Sequence, residues 1–300
     1  MTPLRLFDPT AGTLLVPAPG EGDGWWAGAP SRADWRGLRL ITYRLRAPRP
    51  RRGYAVRIGR LDRDRIVDLY EISASQIASP SLERACLVPR GERLLLYLSS
   101  VDRGDGRWRI DLLTADEPAG FDPMSPRTVL SAVSTGTEGV KDPVVVDSGD
   151  ELVMYTSVAL RAGAPDHGTG DVFGTGSVRS ATGMARSRDG VTWQWLGPVL
   201  EPPSDGWDAY ETRISCLVSD DLALYDGIAR AEDNYRERTG IARRGHEGRW
   251  TRLTTAAPAL AARYVAFDGD RFFWEHELPD GSHELRVAAP DITLDAATLR

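Results

Sequence analysis

Glu138-Gly-Val-Lys-Asp-Pro-Val-Val-Val-Asp147 and, after a short polar turn, Glu151-Leu-Val-Met-Tyr-Thr-Ser157 form one unit of a repeating pattern. A charged opening leads into a β-branched run, and a second apolar run follows the turn. Short apolar or alternating runs bounded by Gly, Asp, Ser and Pro read as strands of a largely buried sheet. Working outward, the same order recurs from Trp26 (Trp-Ala-Gly-Ala-Pro-Ser, then 38–45 and 54–58) and from Ser81 (then 94–98 and 108–113). It recurs again from Tyr210 (then 222–225 and 238–242) and from Ala262 (then 272–275 and 283–287). Helical periodicity is almost absent.

Taking Gly28, Glu83, Asp142, Glu211 and Arg263 as equivalent points, the repeat is about 50–70 residues long with three or four strands per unit. This predicts an all-β chain folded as a five-bladed β-propeller with a central polar pocket. The expected layout is an N-terminal arm over 1–24 and a single propeller domain over 25–300. Its blades should cover about 25–70, 79–116, 136–195, 206–252 and 260–290. Tyr43, Tyr97, Tyr155 and Tyr225 recur in the second strand of four units, with Trp274 in the fifth, as aromatic packing between adjacent blades would require.

Composition narrows the function classes. A net charge of −6 over 300 residues lacks the basic footprint of a nucleic-acid surface, so no nucleic-acid partner is expected. Lys141 is the only lysine, and the remaining positive charge is arginine. A compact ammonium standing where guanidinium is used everywhere else marks that position for attention. The two cysteines, Cys86 and Cys216, sit in apolar runs and imply buried strand residues rather than a disulfide framework. No run approaches the ~20 apolar residues of a membrane helix, and the first residues lack the pattern of a secretory signal. The expected location is the cytoplasm, with no membrane partner.

In a propeller the innermost strands begin around one channel mouth, so side chains at the five openings share one space despite their separation in sequence. Those openings are rich in charge: Glu83 and Arg84, Lys141 and Asp142, Glu211 and Arg213, and Arg263, with Arg44 and Glu275 just behind. One reading is a ring of ion pairs that closes the channel, since a lone buried charge costs several kcal/mol or more. The other is a polar pocket whose carboxylates have their pKa values driven apart by cationic neighbours. On that reading Glu83, Asp142 and Glu211 are the candidate catalytic carboxylates. Arg84, Lys141, Arg213 and Arg263 bind substrate or keep those carboxylates ionised.

The repeating blades and the Lys141-Asp142-Pro143 motif resemble the five-bladed propeller glycosidases, glycoside hydrolase families 43, 62, 32, 68 and 130. Lys141-Asp142-Pro143 is similar to the Arg-Asp-Pro motif that holds a sugar in the fructan-acting members. Ser187-Arg-Asp-Gly-Val-Thr-Trp193 resembles their outer-strand turn. The resemblance spans roughly 25–290 and implies a sugar-like small-molecule substrate, acted on by hydrolysis or phosphorolysis. One departure stands out. Those families carry an aspartate at the first blade's opening, where this chain reads Ala27-Gly28-Ala29-Pro30-Ser31; Asp34 is the nearest carboxylate. That departure keeps two alternatives open: a glycosidase scaffold turned to a non-hydrolytic step in small-molecule biosynthesis, and a ligand-binding propeller without chemistry.

The loop 158–181 is long and Gly-rich, as functional lids often are. It offers His167 and Asp171 as a pair that orients substrate or exchanges a proton, and Val172, Phe173 and Val178 as anchors. Tyr235 in a second extended loop and Trp26 beside the first opening are candidates to hold the faces of a sugar. The four histidines lack metal-ligand spacing, so no metal site or cofactor is expected, although a carboxylate-held Ca²⁺ in the channel is chemically compatible.

Overall fold

The computed structural model describes residues 4–160, 172–245 and 247–294. Apart from a two-stranded sheet of Arg5–Leu6 with Ile292–Thr293, its strands fall into five antiparallel units. Blade 1 contains Trp26–Trp35, Leu38–Ala47, Arg52–Asp62 and Arg65–Ser73, and blade 2 contains Leu82–Arg90, Arg93–Val101, Trp108–Ala115 and Arg127–Leu130. Blade 3 contains Gly139–Asp147, Leu152–Ala159, Ser180–Ser187 and Gln194–Leu200, and blade 4 contains Glu211–Leu217, Leu222–Ile228, Arg238–Arg244 and Trp250–Arg252. Blade 5 contains Arg263–Phe267, Phe272–Glu277 and His283–Ala288.

The fourth strand of blade 5 is Thr13–Val16, which pairs antiparallel with His283–Ala288. Part of the segment expected as an arm is therefore a strand of the ring. Blade 2 also extends past the expected limit of 116, because Arg127–Leu130 supplies its outer strand. Both segments are too short to declare themselves by pattern.

The five inner strands contact one another in a closed cycle, blade 1 to 2 to 3 to 4 to 5 and back to 1. The reason lies in the alternation of side chains along each strand. Leu94, Leu96 and Leu98 face one side and pack with Val56, Ile58 and Ile72 of blade 1. Leu95 and Tyr97 face the other and pack with Leu152 and Met154 of blade 3. Blades 3 and 4 meet through Tyr155, Ile214 and Trp250, blades 4 and 5 through Leu224, Ile241 and Phe272, and blades 5 and 1 through Phe273, Leu285 and Ile41. A strand buried on both faces reads as a continuous apolar run, which is how these second strands read.

Tyr97 meets Trp193 of blade 3 edge-on at 5.5 Å, and Tyr155 meets Trp250 of blade 4 in the same manner at 5.7 Å. Tyr225 stacks on Trp207 instead, and its hydroxyl donates to Asp208. The Ser187–Trp193 turn is a structural device. Asp189 accepts from the backbone N–H groups of Val191 and Thr192, Ser187 Oγ accepts from that of Gly190, and the Tyr97 hydroxyl donates to the Gly190 carbonyl.

Each inner strand is interrupted by a bulge, near its mouth end at Gly28–Ser31, Leu82–Ala85, Lys141–Val144 and Arg263–Ala266, and farther along the strand at Ile214–Cys216 on blade 4. Ala29, Asp142 and Tyr264 take φ of +52°, +58° and +50° within three of these. A bulge re-aims side chains that a regular pleat would send to opposite faces. Here it lets Lys141 with Asp142, and Arg263 with Tyr264, both reach the axis.

Candidate active site

On blade 3, the Asp142 backbone N–H donates to Ser99 Oγ at 2.8 Å, which fixes the bulge against blade 2. Asp142 Oδ2 accepts from the Tyr264 hydroxyl at 3.2 Å and from Arg213 Nη1 at 3.2 Å, while Lys141 Nζ stands 3.5 Å away. Lys141 itself lies 4.6 Å from the Phe173 ring, so the end of the long loop covers the sole lysine. Phe173 is anchored with Val172 and Val178 against Val101, Trp108 and Ala159.

Arg213 is the hub on this side. Its Nη1 lies 3.4 Å from Glu211 Oε1, and its Nη2 lies 2.9 Å from Asp226 Oδ2 and 3.6 Å from Glu237 Oε1. The Tyr264 ring lies 3.9 Å from its guanidinium carbon. Glu275 is the opposite hub. It accepts from Arg44 Nη2 at 2.8 Å, shares 2.7 Å with His283 Nδ1, and sits 3.5 Å from Arg263 Nη1. Arg44 also pairs with Glu83, and Arg263 Nε lies 3.0 Å from Glu237. One continuous network thus runs from blade 2 through blades 1, 5 and 4 to blade 3.

The network separates the proton affinities of its acids. Burial pushes the Glu211 carboxyl up to about 7, with nearby Glu237 adding to the rise against the pull of Arg213. Burial acts in the same sense on Asp142 but is outweighed by Lys141, Arg213 and Arg84, so that carboxylate stays below its usual range. Burial is likewise overcome at Glu275 by Arg263, Arg44 and His283, and at Glu237 by Arg263 and Arg213. Asp226 is raised by burial. Asp142 Oδ1 and Glu211 Oε1 accept no hydrogen bond among the described residues although both are buried.

The first blade's opening holds no carboxylate of its own. A Cβ placed on Gly28 would fall 2.1 Å from Glu275 Oε2, so the Glu275 carboxylate occupies the space that a side chain there would use. Asp34 lies on the exposed part of the same strand and pairs with Arg32 at 3.1 Å, away from the axis. It does not replace the missing acid.

Of the three carboxylates singled out by sequence, Glu83 lines the narrow cavity at the mouth, whose volume of about 10 Å³ corresponds to roughly one water. Asp142 and Glu211 lie behind it, bridged by Arg213. Lys141, Tyr235, Glu237, Arg263 and Tyr264 share that lining with Arg52, Phe173 and Asn234. Arg44 and Glu275 belong to the network, and Arg213 is its center. Arg84 instead donates to the Pro30 carbonyl at 2.8 Å and has no carboxylate partner among the described residues. Trp26 is buried between His283, stacked at 4.6 Å, and Tyr235 at 4.7 Å. His167 and Asp171 lie outside the described residues. Among the described residues, no group of three or more His, Cys, Asp or Glu side chains is arranged to hold a metal ion.

Sequence reading missed Tyr264, Asp226, Glu237 and His283. Tyr264 was within reach, because aligning Lys141-Asp142 with Arg263-Tyr264 makes it the counterpart of Asp142. Glu237 sits in a charged loop that reads as a solvated face, and Asp226 and His283 are single polar residues in or at the start of strands.

No protein-family model matches the chain, and no curated protein matches it in sequence. Solved structures do resemble it. A structure described as a glycoside hydrolase superposes with a TM-score of 0.67 at 14% identity, covering 95% of this chain and 92% of that one. The β-1,2-mannobiose phosphorylase from Listeria innocua, solved with β-1,2-mannobiose, gives 0.60 at 16% identity over 98% of this chain and 97% of its own. A family 43 glycoside hydrolase from Xanthomonas citri gives 0.56 at 14% identity over 95% and 92%. Across nearly its whole length, this chain has the propeller fold of these glycoside-cleaving enzymes.

Proposed function

We propose that this protein is an enzyme that cleaves a small glycoside or sugar-derived metabolite at the propeller mouth, by hydrolysis or phosphorolysis. Glu211 donates the proton to the leaving oxygen, and Asp142 is the carboxylate kept ionised beside it. Glu83 and Glu237 face the sugar, with Lys141 and Arg263 as cationic partners. Substrate admission displaces Tyr235 and Phe173 from the mouth. The proposal includes an intracellular setting.

One observation carries this reading. A single guanidinium nitrogen stands 3.2 Å from Asp142 and 3.4 Å from Glu211, while the surroundings drive their proton affinities in opposite directions. One acid that keeps its proton up to about neutral pH beside one that stays ionised is what acid-assisted glycoside cleavage needs. The likeness to glycoside hydrolases and a mannobiose phosphorylase supports the substrate class.

The test is turnover of a panel of disaccharides and aryl glycosides, with and without inorganic phosphate. The rate should fall as pH climbs through about 7, because Glu211 then loses the proton it must donate. Glu211→Gln should cost on the order of 10²–10⁴ in kcat. Stimulation by phosphate identifies phosphorolysis. Absence of turnover across the panel by folded protein removes the proposal.

A second reading, a ligand-binding propeller without chemistry, draws on the pairing of Glu83, Asp142, Glu211, Glu237 and Glu275 with arginine. It requires that Glu83→Gln and Asp142→Asn leave ligand affinity intact.

A further inference from the structure

Arg46 differs from the other buried arginines around the mouth. The residue is 4% exposed, yet its side chain makes no hydrogen bond or ion pair among the described residues. Its guanidinium carbon lies 3.9 Å from the Trp26 ring and 4.9 Å from that of Tyr235. Arg44 and Arg263, by contrast, each contact two carboxylates. Two aromatic rings return roughly 2 kcal/mol or more each to a desolvated cation, but they satisfy none of its five N–H donors. Nε is sealed from solvent without an acceptor. Burial pulls the Arg46 guanidinium below its usual range, with Tyr235 and Glu83 opposing.

The same residue lines a cavity of about 560 Å³, together with Trp26, Arg49, Thr175, Asn234 and Tyr235. That size suits a mono- or disaccharide. Asp23 and Glu232 also line it, but both are exposed to solvent, where their field is screened. Asn234 and Tyr235 are shared with the mouth cavity, so one short loop is the partition between the two spaces.

We propose that this outer cavity is an anion subsite, in which Arg46 receives the carboxylate or phosphate of an acidic sugar. With aromatic rings over the guanidinium, its N–H edge is the part left to donate, and that fork matches a carboxylate or phosphate in two parallel hydrogen bonds. The inference rests on the sugar-acting reading for the remainder of the ligand. It makes the substrate a sugar acid or sugar phosphate whose anionic end lies outside Tyr235 and whose glycosidic end points to the mouth.

The test is calorimetric titration of the full chain with glucuronate, glucose 6-phosphate, inorganic phosphate and neutral glucose, on the wild type, Arg46→Met and Arg46→Lys. At least one acidic sugar should bind about tenfold or more tighter than glucose, and Arg46→Met should abolish that preference. Arg46→Lys should restore part of it, since charge returns without the fork. Preference for glucuronate assigns a carboxylate, and preference for glucose 6-phosphate over inorganic phosphate assigns a sugar phosphate. Inorganic phosphate binding as tightly as glucose 6-phosphate, or anion preference that survives Arg46→Met, overturns the proposal. Should Arg46→Met fail to fold, a crystal of the wild type soaked in glucose 6-phosphate decides by whether the phosphate lies on the Arg46 Nη atoms. Turnover of neutral glycosides with no anion preference removes only the subsite. Arg46-dependent binding without turnover of any glycoside removes the enzyme reading and keeps the subsite.

Discussion

Ala29-Pro30 on blade 1 and Asp142-Pro143 on blade 3 are the same backbone carrying different chemistry. Both sit in an inner-strand bulge, and their φ values are +52° and +58°. Asp142 anchors the arginine hub, whereas the alanine offers a methyl group and its neighbour Gly28 leaves room for Glu275. The bulge is thus a property of the fold, kept whether or not a functional side chain uses it. Charge at the mouth is a property of the ring, and an adjacent blade can supply it.

The largest test of this contrast removes a hub. Arg213→Met removes the cation shared by Asp142, Glu211, Asp226 and Glu237, leaves Glu211 and Asp226 buried without a cationic partner among the described residues, and should cost about 3–5 kcal/mol in chemical unfolding. Arg44→Met leaves Glu83 without its cation while Glu275 keeps Arg263 and His283, and should lie at the lower end of that range. A loss below about 1 kcal/mol for Arg213→Met would mean that the cluster joining blades 3 and 4 is not structural. Next in size, Gly28→Ala drives a methyl group into the Glu275 carboxylate and should cost about 1–3 kcal/mol. The penalty should shrink in a Glu275→Ala background, with a coupling of roughly 0.5–3 kcal/mol, and equal penalties in both backgrounds would break the idea that Glu275 fills that place. The smallest effect belongs to Ala29→Gly. Relief of a left-handed alanine should stabilise the protein by up to about 1 kcal/mol, read as a small rise in melting temperature.

The ring was legible because its strands are buried on both faces. Leu94-Leu-Leu-Tyr-Leu98 cannot be a half-exposed strand, and similar runs at regular spacing leave few folds open. The contributions of Arg127–Leu130 and Thr13–Val16 were not legible, since a four-residue strand is defined by the neighbor it pairs with. The site divided in the same way. Residues at the openings, such as Glu83, Lys141, Asp142, Glu211 and Arg263, could be found by aligning units. Glu237 and Arg46 could not, because a lone charge in a loop or strand gives no sign of whether its partner is solvent, a carboxylate or an aromatic ring. Gly28 was read as an absence, and only the position of Glu275 above it explains why glycine is needed there.

The pairing of Thr13–Val16 with His283–Ala288 has a bearing on how this molecule comes into being. During synthesis Thr13–Val16 has no sheet to join until blade 5 has left the ribosome, so the hoop stays unclasped until then. Contacts of such wide sequence separation form slowly, and the waiting edge of the last blade is a template for wrong pairing in the meantime.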